Sequence, residues 1–115
     1  MCGIAVAIGL SGKPIERGPV ERMAASLVHR GPNDSGIYLD GSIGMGFRRL
    51  SILDLSEAGH QPMVSEDGQH VLVFNGEIFN YVELREELRQ WGYQFRSSGD
   101  SEVLLAAYRH WGREW

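Results

Sequence analysis

The sequence is short of cysteine, of basic clusters and of long hydrophobic runs. A single cysteine among 115 residues excludes an intramolecular disulfide and fits a reducing compartment. Lys and Arg number 11 against 15 Asp and Glu, for a net charge of −4. Only the pair Arg48-Arg49 approaches a basic cluster, so neither nucleic acid nor an anionic membrane is expected as a partner. No run approaches bilayer-spanning length. The apolar stretch from Gly3 to Leu10 lacks the basic flank and cleavage site of a signal peptide. The histidines at 29, 60, 70 and 110 have no metal-ligand spacing, and no metal is assigned. With 43% hydrophobic and 23% charged residues, the expectation is a soluble, cytoplasmic segment of at most one domain.

Glycine is plentiful, at 15 residues, and points to tight turns and close backbone approaches. Cys2 to Gly9 reads as a buried strand with Ile4, Val6 and Ile8 on one side. Val20, Met23, Ala24, Leu27 and Val28 make a helix face over Pro19–His29, ended by Gly31-Pro32. Two strands, Gly36–Leu39 and Ile43–Arg49, flank an Asp40-Gly41 turn. In the second, Arg49 falls on the side of Ile43, Met45 and Phe47, an odd place for a charge. Leu50 to Met63 reads mostly as loop, and Asp67-Gly68 as a turn before a strand at His70–Phe74. Asn80 with Glu83 resembles a capping box for a helix with a Tyr81, Leu84, Leu88, Trp91 stripe, stopped by Gly92. A short strand at Tyr93–Arg96 and a helix over Ser101–Trp111 complete a β-α-β-β-β-α-β-α order. Apolar faces on both kinds of element suggest an incomplete core.

The lone cysteine stands directly behind the initiator methionine. Removal of Met1 would place a thiol and a free α-amino group on the same residue, a nucleophile with its own base. In general an α-amino group titrates near roughly 8 and a thiol near about 8.5, both close to neutral pH.

Four further clusters accompany Cys2-Gly3-Ile4. They are His29-Arg30-Gly31-Pro32-Asn33-Asp34; Arg49-Leu50-Ser51-Ile52-Leu53-Asp54; Phe74-Asn75-Gly76-Glu77-Ile78-Phe79-Asn80-Tyr81; and Ser98-Gly99-Asp100-Ser101-Glu102. Together, and in order over the whole chain, they resemble the glutaminase domain of glutamine-dependent asparagine synthetases, within the class II, N-terminal nucleophile glutamine amidotransferases. Ala58-Gly59-His60-Gln61-Pro62 is similar to the asparagine-synthetase branch. The resemblance implies a domain roughly twice this long, so residues 1–115 resemble a C-terminally incomplete glutamine amidotransferase domain. The implied fold is α+β: roughly the first half of an N-terminal nucleophile αββα sandwich.

The resemblance implies a reaction and a set of roles. Cys2 would attack the side-chain amide of glutamine and pass through a thioester, while its α-amino group carries the proton to ammonia. Asn75 and the backbone N–H of Gly76 would stabilise the oxyanion. Arg49 would grip the α-carboxylate, Asp100 and Glu77 the α-ammonium, and Ile52 and Leu53 would line the substrate. Asp100 also reads as a helix N-cap. Arg30-Gly31 either orders a loop over glutamine or simply ends a helix. The glutaminase half implies no cofactor; ATP and Mg would belong to a synthetase domain whose Ser-Gly-Gly-x-Asp-Ser motif is absent here. The expected partners are glutamine and the synthetase domain or subunit that receives ammonia. Rival readings are an inactive truncated remnant with at most a binding or regulatory role, and a glutaminase serving another acceptor.

Overall fold

A computed structural model of the chain describes residues 2–50 and 59–112. It divides into two compact units. Among the described residues, the first contains 2–50 with 60–62 and 73–75; the second contains 59, 63–72 and 76–112.

The first unit is a three-stranded antiparallel sheet with a helix on one face. Strands β1 (Gly3–Ile8), β2 (Asp34–Asp40) and β3 (Ile43–Arg49) lie in the order β1-β3-β2. Helix α1 spans Arg17–Ala25. It starts earlier than the pattern predicts and closes sooner, because turn hydrogen bonds from Leu27 to Ala24 and from Arg30 to Leu27 take over. Gly41, at φ 56°, makes the turn between β2 and β3; a positive φ there is free of steric cost only for glycine.

The helix packs on the small-residue side of the sheet. A Cβ on Gly44 would lie 2.7 Å from Val20 Cγ2, and one on Gly46 would lie 3.0 Å from Ala24 Cβ. These glycines therefore admit Val20 and Ala24, both buried, while Met23 and Val28 stay in solvent. The opposite side carries Ile4, Val6, Ile8 and Ile43, paired across β1 and β3. This corrects the expectation of a buried first strand: Ile8 is 64% exposed and Val6 46%. Periodicity identified the apolar side; it did not determine which side the helix would take. Phe47, by contrast, is buried.

The second unit holds a short hairpin and a helix pair. Strands β4 (Met63–Val64) and β5 (Val71–Leu72) are antiparallel. Their turn has Gly68 at φ 73°, and Asp67 accepts from the Ser65 hydroxyl and the Gln69 N–H. Helices α2 (Tyr81–Gln90) and α3 (Asp100–Trp111) enclose Leu88, Val103, Ala106 and Ala107. Among the described residues no helix is long and apolar enough to cross a membrane.

Three local expectations are corrected here. The Asn80 side chain makes no cap hydrogen bond, so the capping box is not formed. Tyr93–Arg96 is not a strand. Its Arg96 N–H turns to the Glu102 carboxylate, with Ser97, so that backbone is satisfied by helix α3 instead of a ladder. The strand expected at His70–Phe74 shrinks to Val71–Leu72.

Candidate active site

Cys2, the residue before β1, shares a sheet side with Ile4 by the alternation of strand side chains. Ile4 pairs with Phe47, and Arg49 continues that side of β3. Asp34 is the register partner of Arg49 on β2. The thiol, the guanidinium and a carboxylate thus fall in a row at one end of the sheet.

The row is tightly held by backbone. Leu50 N–H donates to Cys2 Sγ at 3.3 Å, and Sγ lies 3.7 Å from the Leu50 carbonyl. Arg30 Nε donates to the Cys2 carbonyl at 3.1 Å. Arg48 Nε donates to the Gly31 carbonyl at 2.9 Å, and a Cβ on Gly31 would come within 2.4 Å of the Arg48 carbonyl group. Gly31 lets the Arg30 turn lie against β3; helix α1 itself ends at Ala25, which corrects the expectation that Gly31-Pro32 terminates it.

Arg49 is buried to 7% exposure, which answers the oddity of its position: it is no surface arginine. A buried guanidinium calls for nearby negative charge, and Asp34 supplies some. The Asp34 carboxyl is held below its ordinary value. Burial acts to raise it, and hydrogen bonds from His60 and Ser35, with the charges of His60 and Arg49, outweigh that. His60 Nδ1 lies 2.6 Å from Asp34 Oδ2.

Asn75 is in the same unit as Cys2 and Arg49, half-buried just beyond the segment that leaves β5. Gly76, Glu77 and Asp100 lie in the second unit. Gly76 and Glu77 are exposed. Asp100 is 6% exposed, and its Oδ2 accepts from the Ile78 N–H at 2.9 Å. It thereby ties the backbone just past Glu77 to the start of α3. The N-cap of that helix is Gly99, not Asp100, which is the first helical residue; the capping reading of Asp100 is corrected. Ile52 and Leu53 lie outside the described residues.

Asp34, His60 and Gln61 stand within the sequence motifs without an implied role, and the structure engages all three. The signal was present as His60-Gln61-Pro62, two polar side chains ahead of a proline inside a loop.

The family profile described as a glutamine amidotransferase domain matches residues 1–115. The chain is 52% identical to asparagine synthetase [glutamine-hydrolyzing] 1 of Bacillus subtilis, over 83% of this chain and 15% of that protein. It is 39% identical to asparagine synthetase 2 of the same organism, over 97% of this chain and 15% of that protein. A plant relative, asparagine synthetase 1 of Arabidopsis thaliana, is 37% identical over 97% of this chain and 19% of its own length. The chain thus spans well under a quarter of each of these relatives.

Proposed function

The chain belongs to the glutamine amidotransferase domain family, and from that premise we propose that it is the glutaminase part of an asparagine synthetase. It would hydrolyse glutamine to glutamate and ammonia, with ammonia passing to an ATP-activated aspartate in a synthetase domain or subunit. The observation that carries this reading is the placement of Cys2 beside a buried arginine, with a backbone N–H already aimed at its sulfur.

The chemistry follows from the residues. With Met1 removed, the Cys2 α-amino group takes the thiol proton as sulfur attacks the amide carbon of glutamine. Negative charge on the amide oxygen is stabilised by the Asn75 side-chain NH₂ and the Gly76 N–H. The C–N bond then breaks, the α-ammonium returns its proton to the departing nitrogen, and a thioester with ammonia results. Water, activated by the same amine, releases glutamate and restores the thiol. Arg49 holds the substrate α-carboxylate by two parallel hydrogen bonds, Asp100 and Glu77 the α-ammonium, with Ile52 and Leu53 lining the substrate.

The proposed fold is the first half of an αββα sandwich. The sheet side that faces away from α1 supports it: Ile4, Val6, Ile8 and Ile43 expose an apolar surface fit to pack on a second sheet. The cofactors ATP and Mg belong to the synthetase part of this proposal.

The test is covalent. A glutamine-like diazo-ketone should add once per chain, on an N-terminal Cys2, and Cys2→Ser should abolish both labelling and glutamate release. Retention of Met1 in the active protein, or labelling that survives Cys2→Ser, overturns the reading.

A further inference from the structure

Residues 60–62 belong to the unit that carries Cys2, Arg49 and Asn75, and they make contacts that no catalytic role above requires. Gln61 is 5% exposed. Its side-chain Oε1 accepts from the Phe74 N–H at 2.6 Å. Phe74 stands outside every strand, so its N–H has no ladder partner, and a buried amide without an acceptor is costly. The Gln61 backbone in turn is pressed on β2: a Cβ on Gly36 would come within 1.9 Å of the Gln61 carbonyl oxygen and 2.7 Å of His60 Nε2. Gly36 is the register partner of Phe47, the most deeply buried side chain of this sheet side. His60 reaches the other way, to Asp34, beside Arg49.

Building on the glutaminase reading, we propose that Gln61 is a positioning residue for the oxyanion donor Asn75. The segment His60–Pro62 acts as a strap across the sheet end. One side chain, His60, reaches Asp34, the register partner of Arg49; the next, Gln61, holds the Val73–Phe74 peptide, one residue ahead of Asn75. Peptide planes are rigid, so fixing the Phe74 N–H leaves only the backbone torsions of Phe74 and the φ and side-chain torsions of Asn75 between that anchor and the Asn75 amide. An oxyanion donor acts only when it is pre-aimed at the oxygen of the tetrahedral intermediate. A loose donor costs rate and spares ground-state binding, because the substrate's charged ends are held elsewhere.

The prediction is a split in kinetic constants, measured in the full-length protein and normalised to Cys2 titrated with the diazo-ketone. Gln61→Met, similar in size but without a strong acceptor, should lower glutaminase kcat about tenfold or more with little change in glutamine KM. Gln61→Glu, which keeps an acceptor oxygen at the same reach, should recover most of that loss. In the double variant with Asn75→Ala, Gln61→Met should add little, since its effect runs through Asn75. Wild-type kcat in Gln61→Met beside a slow Asn75→Ala overturns the proposal, and so do losses that multiply in the double variant. An Asn75→Ala protein with wild-type kcat instead overturns the oxyanion assignment itself. Should Gln61→Met not fold, Gln61→Asn, one methylene shorter, replaces it; if neither folds, Gln61 is structural and the proposal fails.

Discussion

The Leu50 N–H donates to the Cys2 sulfur across 3.3 Å, one residue beyond the buried Arg49. A fixed backbone donor is what a sulfur needs in order to bear negative charge. On the proposed reading, the same turn of chain aims the Cys2 sulfur and presents the guanidinium that would bind substrate. A shift of β3 would disturb both functions at once.

Removal of a substrate charge partner should act on binding. Arg49→Ala should raise the glutamine KM by the equivalent of about 2–5 kcal/mol, as expected when one member of a desolvated charge pair is lost. Asp100→Ala should raise it too, with an added loss of order because its carboxylate also holds the Ile78 N–H. On the proposed function, ammonia-dependent asparagine synthesis in a synthetase that carries this domain should survive both. An unchanged glutamine KM in Arg49→Ala would make that arginine structural.

Gly31→Ala tests space, not backbone torsion. The added methyl would meet the Arg48 carbonyl group at 2.4 Å and the Arg49 nitrogen at 2.6 Å. These are backbone atoms and cannot swing aside. Overpacking of this kind costs about 1–3 kcal/mol, so the denaturation midpoint should fall and the glutamine KM rise together. A variant with wild-type values of both would show that the Arg30 turn does not brace β3.

Acid should weaken the Asp34 cluster in a defined direction. The Asp34 carboxyl lies below its ordinary value despite the opposing effect of burial, through His60, Ser35 and Arg49. A depressed folded-state pKa gives stability that is whole above the unfolded value, near roughly 3.9, and is lost as pH falls through the folded value. The advantage of wild type over Asp34→Asn in melting temperature should therefore hold from neutral pH to about 5 and shrink as pH falls below roughly 4. An advantage that stays constant over that range would mean the carboxylate charge contributes nothing.

The isolated 115-residue chain should be poorly behaved. The apolar row Ile4, Val6, Ile8 and Ile43 lies open on the sheet, and exposed apolar sheet surface promotes association. Strong binding of a hydrophobic dye and concentration-dependent aggregation are expected, with glutaminase activity at background. Sharp two-state unfolding with Cys2-dependent glutamate release would refute this.

Much of the frame was legible from local chemistry. Asp40-Gly41 marked a turn that the structure closes with Gly41 at positive φ, and Gly92 and Gly112 follow their helices at positive φ as well. The alternation of β3 placed Arg49 on the apolar side, and it is indeed buried there. Cys2 was conspicuous because it is the only thiol and stands second in the chain. Less legible were the ends of elements. Asn80 carries capping chemistry without making the bond, and the Tyr93–Arg96 backbone turns to Glu102.

The sequence by itself determined the spacing of the apolar residues, the glycine turns and the places of Cys2 just before β1 and of Arg49 along β3, because those depend on residues within one or two turns of chain. Only the tertiary structure decided which side of the sheet α1 would cover, since Gly44 and Gly46 permit an approach that the bulkier side refuses. It also decided that His60 would meet Asp34 and that Gln61 would hold Phe74. Those pairs are far apart along the chain, and no local period records a hydrogen bond whose two ends are brought together by folding.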